Sequence, residues 1–448
     1  MGDIFRKHSE TFDSDEVGFV APKKTLAMAV AVALSALGMA ACTGGDDEGG
    51  SGGGNVEMQL WHNATTGPGK AFWDKTVADF QTAHPNVKIK IQQVQNEDLD
   101  GKLQTALNSG SAPDIFLQRG GGKMAAMVEA GQLKDITADI TDATKQAVGE
   151  AALKTGQVDG KAYSVPVSIL PGGLWYSKDL FSKAGVTAPP TTLEELNTAV
   201  TKLKANGTPI ALGAKDAWPA AHWYYFFALR ACSPAALDAA AKDKTFTDAC
   251  WTKAGEDLKA FADTKPFNEG FLTTSAQQGA GSSAGLVANY KASMELMGAW
   301  DPGVIASLTK DTKPLPDLGY FPFPAVPGGQ GDPAAIMGGA DGYSCSAQAP
   351  KECADFLNYI LTKDVQEGYY KAFNALPVSK EAQGAVTEDY LKAVLEAYNK
   401  APYVSQWLDT IYGQNVGNAL NVGVVNLLAG KGDVAGILQA VNDAAKKG

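Results

Sequence analysis

The hydrophobic pattern divides the chain into an apolar run near its start and a long body in which strand and helix periods alternate. Residues 26–41 are an unbroken stretch of apolar and small residues behind Lys23 and Lys24. That run is shorter than the roughly 18–20 apolar residues a membrane span needs. In the body, residues 56–61 read as a strand. Trp73, Val77 and Phe80 then recur at i, i+4 and i+7, one face of a helix that stops at His84-Pro85. Val87, Ile89 and Ile91 alternate with Lys88, Lys90 and Gln92, a period-two strand. Strand, helix and strand make a βαβ unit, which predicts a parallel sheet covered by helices. A second helix carries Leu99, Leu103 and Leu107 and ends at Gly110; residues 112–117 are the next buried strand.

The pattern changes over residues 158–169, where Asp159-Gly160 marks a hairpin and Val165-Pro166-Val167 an extended segment. A first crossing between two lobes is expected here. Beyond it, residues 174–176 read as a strand, and Thr192 with Glu195 forms a capping box that opens a helix running to Asn206-Gly207. Residues 223–229 are apolar all round, hence a buried helix. A strand over 294–300 ends at Asp301-Pro302-Gly303, where the chain is expected to return to the first lobe. Residues 318–323 and 335–346 add strands, and beyond Pro350 the pattern is mostly helical. The body holds roughly 390 residues, more than the ~250–300 at which single cores split. The expected fold is α/β, with two discontinuous lobes joined by hinge strands: residues 55–165 and 300–345 in one, 166–299 and 346–448 in the other.

Basic residues, an apolar core and the small-residue exit Met39-Ala40-Ala41 are the layout of an export signal, giving a signal segment over 1–42. Residues 43–54, glycine-rich and acidic, suit a tether. The net charge of −11 argues against nucleic acid and against an electrostatic grip on anionic lipid. Apart from Cys42, the chain has Cys232, Cys250, Cys345 and Cys353. An even number in an exported chain reads as two disulfides with three possible connectivities. The local pairs Cys232–Cys250 and Cys345–Cys353 are favoured, since each spans one short, turn-rich loop. There is no Cys-x-x-Cys and the four histidines are scattered, so neither metal nor cofactor is expected.

Gly281-Ser282-Ser283-Ala284-Gly285 matches a nucleophile elbow, but polar residues precede it and no histidine follows His222. Gly279-x-Gly281-x-x-Ala284 lacks the strand a dinucleotide fingerprint needs. Paired carboxylates have no spacing signature, so Asp216, Asp301 and Asp341 keep a secreted glycosidase as the alternative. What stands out is aromatic residues beside polar ones: Trp61-His62-Asn63, Trp175-Tyr176, Asp216-Ala217-Trp218, Trp300-Asp301, Asp341-Gly342-Tyr343 and Gln406-Trp407. An indole covers the C–H face of a sugar while polar groups bond its hydroxyl rim. Trp61, Trp73, Trp223 and Tyr224 fit a core better. His62 reads equally as a solvated loop residue, and Lys215–Asp216 as a surface pair.

The Cys42 segment resembles the lipobox of bacterial lipoproteins, in which the cysteine carries the lipid. Leu60-Trp61-His62-Asn63, the stretch ending in Ala112-Pro113-Asp114-Ile115, and Gly298-Ala299-Trp300-Asp301 resemble family 1 extracellular solute-binding proteins of carbohydrate ABC transporters. Residues 61–70, Asn96-Glu97-Asp98, Arg119-Gly120-Gly121-Gly122, residues 213–218 and Tyr412-Gly413-Gln414-Asn415 are similar to actinobacterial lipoproteins for xylobiose and related oligosaccharides. The resemblance implies a maltose-binding-protein-type fold, a sugar cleft between lobes, and no enzymatic activity. The partners it implies are an ABC permease and, through Cys42, membrane lipid; a monomer is expected. The expected ligand contacts are Asn63, Asn96, Arg119, Trp175, Lys215, Asp216, Trp218, Trp300, Asp301, Asp341, Tyr343 and Trp407.

Overall fold

A computed structural model describes residues 54–447. The expected export segment and Cys42 lie outside the described residues. Among the described residues no helix is long and apolar enough to cross a membrane. Two sheets organise the body. Their strands are β1 (Val56–His62), β2 (Val87–Gln93), β3 (Ile115–Gln118), β4 (Val165–Pro166), β5 (Leu170–Ser177), β6 (Thr208–Ala211), β7 (Ala292–Gly298), β8 (Leu318–Phe321), β9 (Ile336–Gly339), β10 (Gly342–Cys345) and β11 (Val404–Gln406). The first sheet runs β2-β1-β3-β10-β4, with β1, β2 and β3 parallel, as the βαβ pattern requires. The second runs β11-β9-β5-β7-β6, with β8 also paired to β5.

Helices around these sheets include α1 (Gly67–Ala83), α2 (Asn96–Asn108), α3 (Gly121–Glu129), α4 (Leu193–Lys204), α5 (Trp218–Ala231), α6 (Ala249–Asp263), α7 (Ser283–Ala288), α8 (Asp301–Leu308), α9 (Glu352–Tyr359), α10 (Lys363–Phe373), α11 (Asp389–Lys400), α12 (Leu408–Ile411) and α13 (Gln414–Leu428). The capping box at α4 forms as expected, with Thr192 and Glu195 exchanging bonds. The second sheet is buried on both faces, so side chains along β5 alternate between cores: Leu174 and Tyr176 join α5 and α6, whereas Trp175 joins the core shared with the first sheet.

Two corrections to the expected lobes follow. β8 and β9 belong to the second sheet, although 300–345 was expected in the first lobe. Helices α9 and α10 pack into the first core through Phe356 and Tyr370, although 346–448 was expected in the second; α11 lies against β8 of the second sheet, with Tyr390 edge-on to Trp175 at 6.2 Å. Chain order does not decide which apolar face a helix covers. The crossings lie side by side: Val167, between β4 and β5, donates its backbone N–H to the carbonyl of Asp341, between β9 and β10, at 2.9 Å.

Both local disulfides form, Cys232–Cys250 joining the ends of α5 and α6, and Cys345–Cys353 joining β10 to α9. α5 is buried from Pro219 to Ala231, as its apolar pattern demands. It includes one charge, Arg230, which is 2% exposed. Its guanidinium donates to the carbonyls of Phe323 (2.6 Å), Ala335 (2.9 Å), Pro324 (3.1 Å) and Asp332 (3.2 Å). Burial lowers its pKa to about 10. Removing the cation strands four carbonyls in a dry site, so Arg230→Met is expected to cost about 3 kcal/mol or more of unfolding free energy in urea titration. A change under about 0.5 kcal/mol would show that water replaces the guanidinium.

Candidate functional site

Three strand positions without side chains shape one wall of the cleft between the sheets. Gly298 on β7 is in register with Gly172 on β5, and Gly339 on β9 pairs with Leu170 beside it. A Cβ at Gly298 would lie 2.0 Å from Cζ3 of Trp300; at Gly172, 2.5 Å from Cη2 of Trp407; at Gly339, 3.0 Å from Cδ1 of Trp407. Glycine in a strand interior marks such close approach. The indoles of Trp300 and Trp407 therefore rest directly on sheet backbone, 5.7 Å apart at 60°. His222 of α5 stacks on Trp407 at 4.2 Å, and Trp218, at the start of α5, meets Trp300 edge-on at 6.1 Å. Burial lowers the His222 pKa to about 4, so its ring is neutral. Its Nδ1 and the indole N–H groups of Trp218 and Trp300 have no partner among the described residues.

The facing wall, from the first sheet, is polar. Asn63 follows β1, Asn96 opens α2, Arg119 follows β3, and Asp341 sits on the crossing between β9 and β10. Asn63 Nδ2 donates to Asn96 Oδ1 at 3.1 Å, which also accepts from Arg119 at 2.7 Å. Arg119 further meets Asp100 at 3.2 Å and Asp341 at 3.5 Å, and Lys123 meets Asp100 at 2.6 Å. Burial works to raise the Asp100 carboxyl, but Arg119 and Lys123 outweigh it and hold it well below the ordinary carboxylate range. Burial raises the Asp341 carboxyl against the pull of Arg119. Two cations and two carboxylates thus balance within the frame.

The two walls touch at both ends of the cleft. Gln406, beside Trp407, donates through Nε2 to the Arg119 carbonyl at 2.9 Å. This approach needs Gly121, whose φ of 58° is left-handed and whose Cβ would lie 2.5 Å from Gln406 Oε1. At the other end, Gln278 donates to Glu97 of α2 at 3.2 Å. His62 is wholly buried, against the expectation of a solvated loop residue; its ring stacks on Trp73, and its Nδ1 accepts from the Ala64 N–H at 3.1 Å. Burial lowers its pKa to about 4, which leaves the proton on Nε2, a donor without a partner.

Of the residues singled out from sequence, Asn63, Asn96, Arg119 and Asp341 converge in the polar frame, and Trp218, Trp300 and Trp407 in the aromatic cluster. Others do not join them. Trp175 is 0% exposed, packed on Tyr320 at 5.0 Å, with its N–H on the Met297 carbonyl at 3.1 Å. Tyr343 is buried 4.8 Å from Trp73. Asp301 is 0% exposed, turned away from the cleft beneath Trp300. Asp216 ties its loop to the one before α7, accepting the Ala276 N–H at 2.7 Å, and Lys215 is exposed. The sequence reading passed over His222, Asp100, Lys123, Gly172 and Gly339, and named Gln406 and Gly298 without giving either a role; the glycines, breaking apolar strand runs, carried a readable signal.

Residues 63–367 match the family described as bacterial extracellular solute-binding protein. An uncharacterised ABC transporter extracellular-binding protein of Pyrococcus horikoshii is 26% identical over 338 residues, 73% of this chain and 72% of its own length. The diacetylchitobiose binding protein DasA of Streptomyces coelicolor is 25% identical over 373 residues, 80% of this chain and 83% of its own. A solved chitin oligosaccharide binding protein superposes with a TM-score of 0.79 at 26% identity, covering 88% of this chain and 98% of that one. A structure from a study of xylan utilisation by Caldanaerobius polysaccharolyticus superposes with the same TM-score, 0.79, at 24% identity, covering 87% and 99%. With its two interleaved sheets and the cleft between them, this chain belongs to the bacterial extracellular solute-binding proteins.

Proposed function

We propose that this chain captures a short, uncharged oligosaccharide between its lobes and delivers it to an ABC permease. The observation that carries the reading is the pair of indoles seated on strand glycines, opposite a polar frame whose charges cancel. Rings cover the C–H faces of a sugar, and Asn63, Asn96, Arg119 and Asp341 meet its hydroxyls. The unpartnered N–H groups of Trp218, Trp300 and His62 are donors waiting for acceptors, since buried polar groups are otherwise satisfied. Hydrogen bonds to hydroxyls discriminate strongly, because an analogue lacking one leaves its partner bare.

Closure follows from the crossings near residues 167 and 341, a hinge arrangement of the kind binding proteins use. A sugar touching both walls stabilises the closed state over the open one, which differential affinity requires. DasA and the chitin oligosaccharide binding protein support an oligosaccharide ligand by their names; xylobiose and its longer homologues rest on the resemblance seen in the sequence. Lipid attachment at Cys42 would hold the monomer near its permease at raised effective concentration. The glycosidase reading loses its support: Asp216 is engaged by a backbone N–H, Asp341 by Arg119, and Asp301 is sealed in.

Calorimetric titration with xylobiose, xylotriose and diacetylchitobiose tests the reading; heat from none of them, with no rise in melting temperature, would refute it. For the sugar that binds, Trp300→Ala is expected to weaken affinity by at least about 2 kcal/mol, roughly 30-fold, as a central aromatic anchor should. A change of a few tenths would remove Trp300 from the site. The balanced frame also predicts selection by charge: a uronic-acid analogue of the same oligosaccharide should bind about tenfold or more weakly, since it adds an anion to a frame whose two cations, Arg119 and Lys123, are already engaged by carboxylates. Equal affinities for the two would contradict the charge balance.

A further inference from the structure

Beneath the indole platform lies a second polar feature that sugar binding does not use. Glu295, on β7, and Asp301, in the first turn of α8, are 1% and 0% exposed. None of their four carboxyl oxygens has a hydrogen-bond partner among the described residues. Glu295 shares its sheet face with Met297, three residues before Trp300 turns back over Gly298 on the opposite face. Asp301 is the next residue after Trp300. The two acids therefore flank the short segment that sets the indole in place.

The surroundings bring no compensating charge. At the register of Glu295, β5 presents Trp175 and β6 presents Ala211, both apolar. From α7 comes Ser283, whose hydroxyl is committed to the Ala276 carbonyl at 3.0 Å. On the facing helices, α5 contributes His222, Tyr224, Tyr225 and Arg230, and α10 contributes Lys363, Asp364, Glu367, Tyr369, Tyr370 and Lys371; none of these shifts either acid, Glu295 feeling Asp301 and the Ser283 hydroxyl, and Asp301 feeling Glu295. Two carboxylates are acceptors only and cannot satisfy one another. Two unpaired anions in a dry site would cost far more than the fold can supply. Protonation turns each acid into a donor and leaves no charge in the dry site, which resolves both problems.

We infer that Glu295 and Asp301 are held as a protonated acid pair beneath Trp300 and act as a positioning pair, holding the indole on its glycine seat and releasing it when the first proton is lost. Burial, and for Glu295 also its neighbour Asp301, raises both carboxyls, Asp301 to about 7. Acids whose folded pKa lies above the unfolded value stabilise the fold below that unfolded value, near pH 4, and lose the contribution as pH rises through the folded one. The pair therefore favours the seated indole in acid and weakens it from neutrality upward.

Only the last step, from the seat to the ligand, rests on the sugar-binding reading, so the test has two separate readouts. The full chain, labelled with fluorotryptophan, is titrated from pH 5 to 9 by 19F NMR, with Trp300→Phe identifying the Trp300 resonance. That resonance should move with a midpoint near neutrality, while the melting temperature falls over the same range. In Asp301→Asn, and in Glu295→Gln with Asp301→Asn, amide groups replace the protonated acids, and both pH dependences should flatten. The single variant serves if the double one does not fold. Sugar affinity should weaken several-fold between pH 6 and pH 8.5 in the wild type and stay level in the amide variants. A Trp300 resonance and melting temperature independent of pH in the wild type would overturn the pair. Stabilisation by added calcium that EDTA reverses would put a cation in place of the proton and equally overturn it. If the resonance titrates but no sugar binds at any pH, the pair stands and the sugar-binding reading falls.

Discussion

Two indoles lie on bare sheet backbone because Gly172, Gly298 and Gly339 bring no side chain to the ends of three neighbouring strands. The rest of the cleft depends on that contact. Strand glycine forfeits packing and costs conformational entropy, so the second sheet has to be secured elsewhere. Burial on both faces does this, with α5 and α6 on one side and the shared core on the other. The disulfide between α5 and α6 and the four carbonyls gathered by Arg230 fasten the same region. A rigid floor is what a weakly held, hydroxyl-rich ligand needs, since each loosened contact would be an entropy loss on binding.

The opposite wall is built on a different principle. Arg119 is held by Asp100, Asp341 and Asn96 before any ligand arrives, so its guanidinium is oriented and neutralised in advance. Asp341 lies on one of the crossings between sheets, and its carbonyl accepts from Val167 on another. The polar frame is therefore tied to the hinge itself, and a group that draws on Arg119 or Asp341 acts on the segment that bends. Under the proposed function, this would be a physical route from ligand contact to domain closure that needs no further coupling element.

Much of this was legible in the chain. The βαβ start, the capping box at Thr192, the all-apolar α5 and both local disulfides follow from periodicity and spacing alone. Aromatic residues next to polar ones pointed to Trp218, Trp300 and Trp407, which the structure gathers into one cluster, because each sits where a strand or helix begins or ends. The same cue failed at Trp175 and Tyr343. Both lie inside strands, where the face a residue takes depends on register, and one position decides between cleft and core. Asp301 failed for a related reason: the chain turns at Trp300, and its neighbour points into the core. The lobe boundaries went astray because α9 and α10 return to the first core, a choice made by packing across the whole molecule. No local pattern encodes it.

The contact between Gly298 and Trp300 is the most direct place to test the account. Gly298→Ala adds a single methyl group 2.0 Å from the Trp300 ring, which has to lift from the sheet to make room. Measured by titration calorimetry with the tightest-binding oligosaccharide, the variant should lose at least about tenfold in affinity, ~1.4 kcal/mol, while its circular dichroism and cooperative unfolding remain those of a folded chain. Undiminished affinity in a folded Gly298→Ala protein would contradict the claim that the indole seated on strand backbone is what grips the ligand.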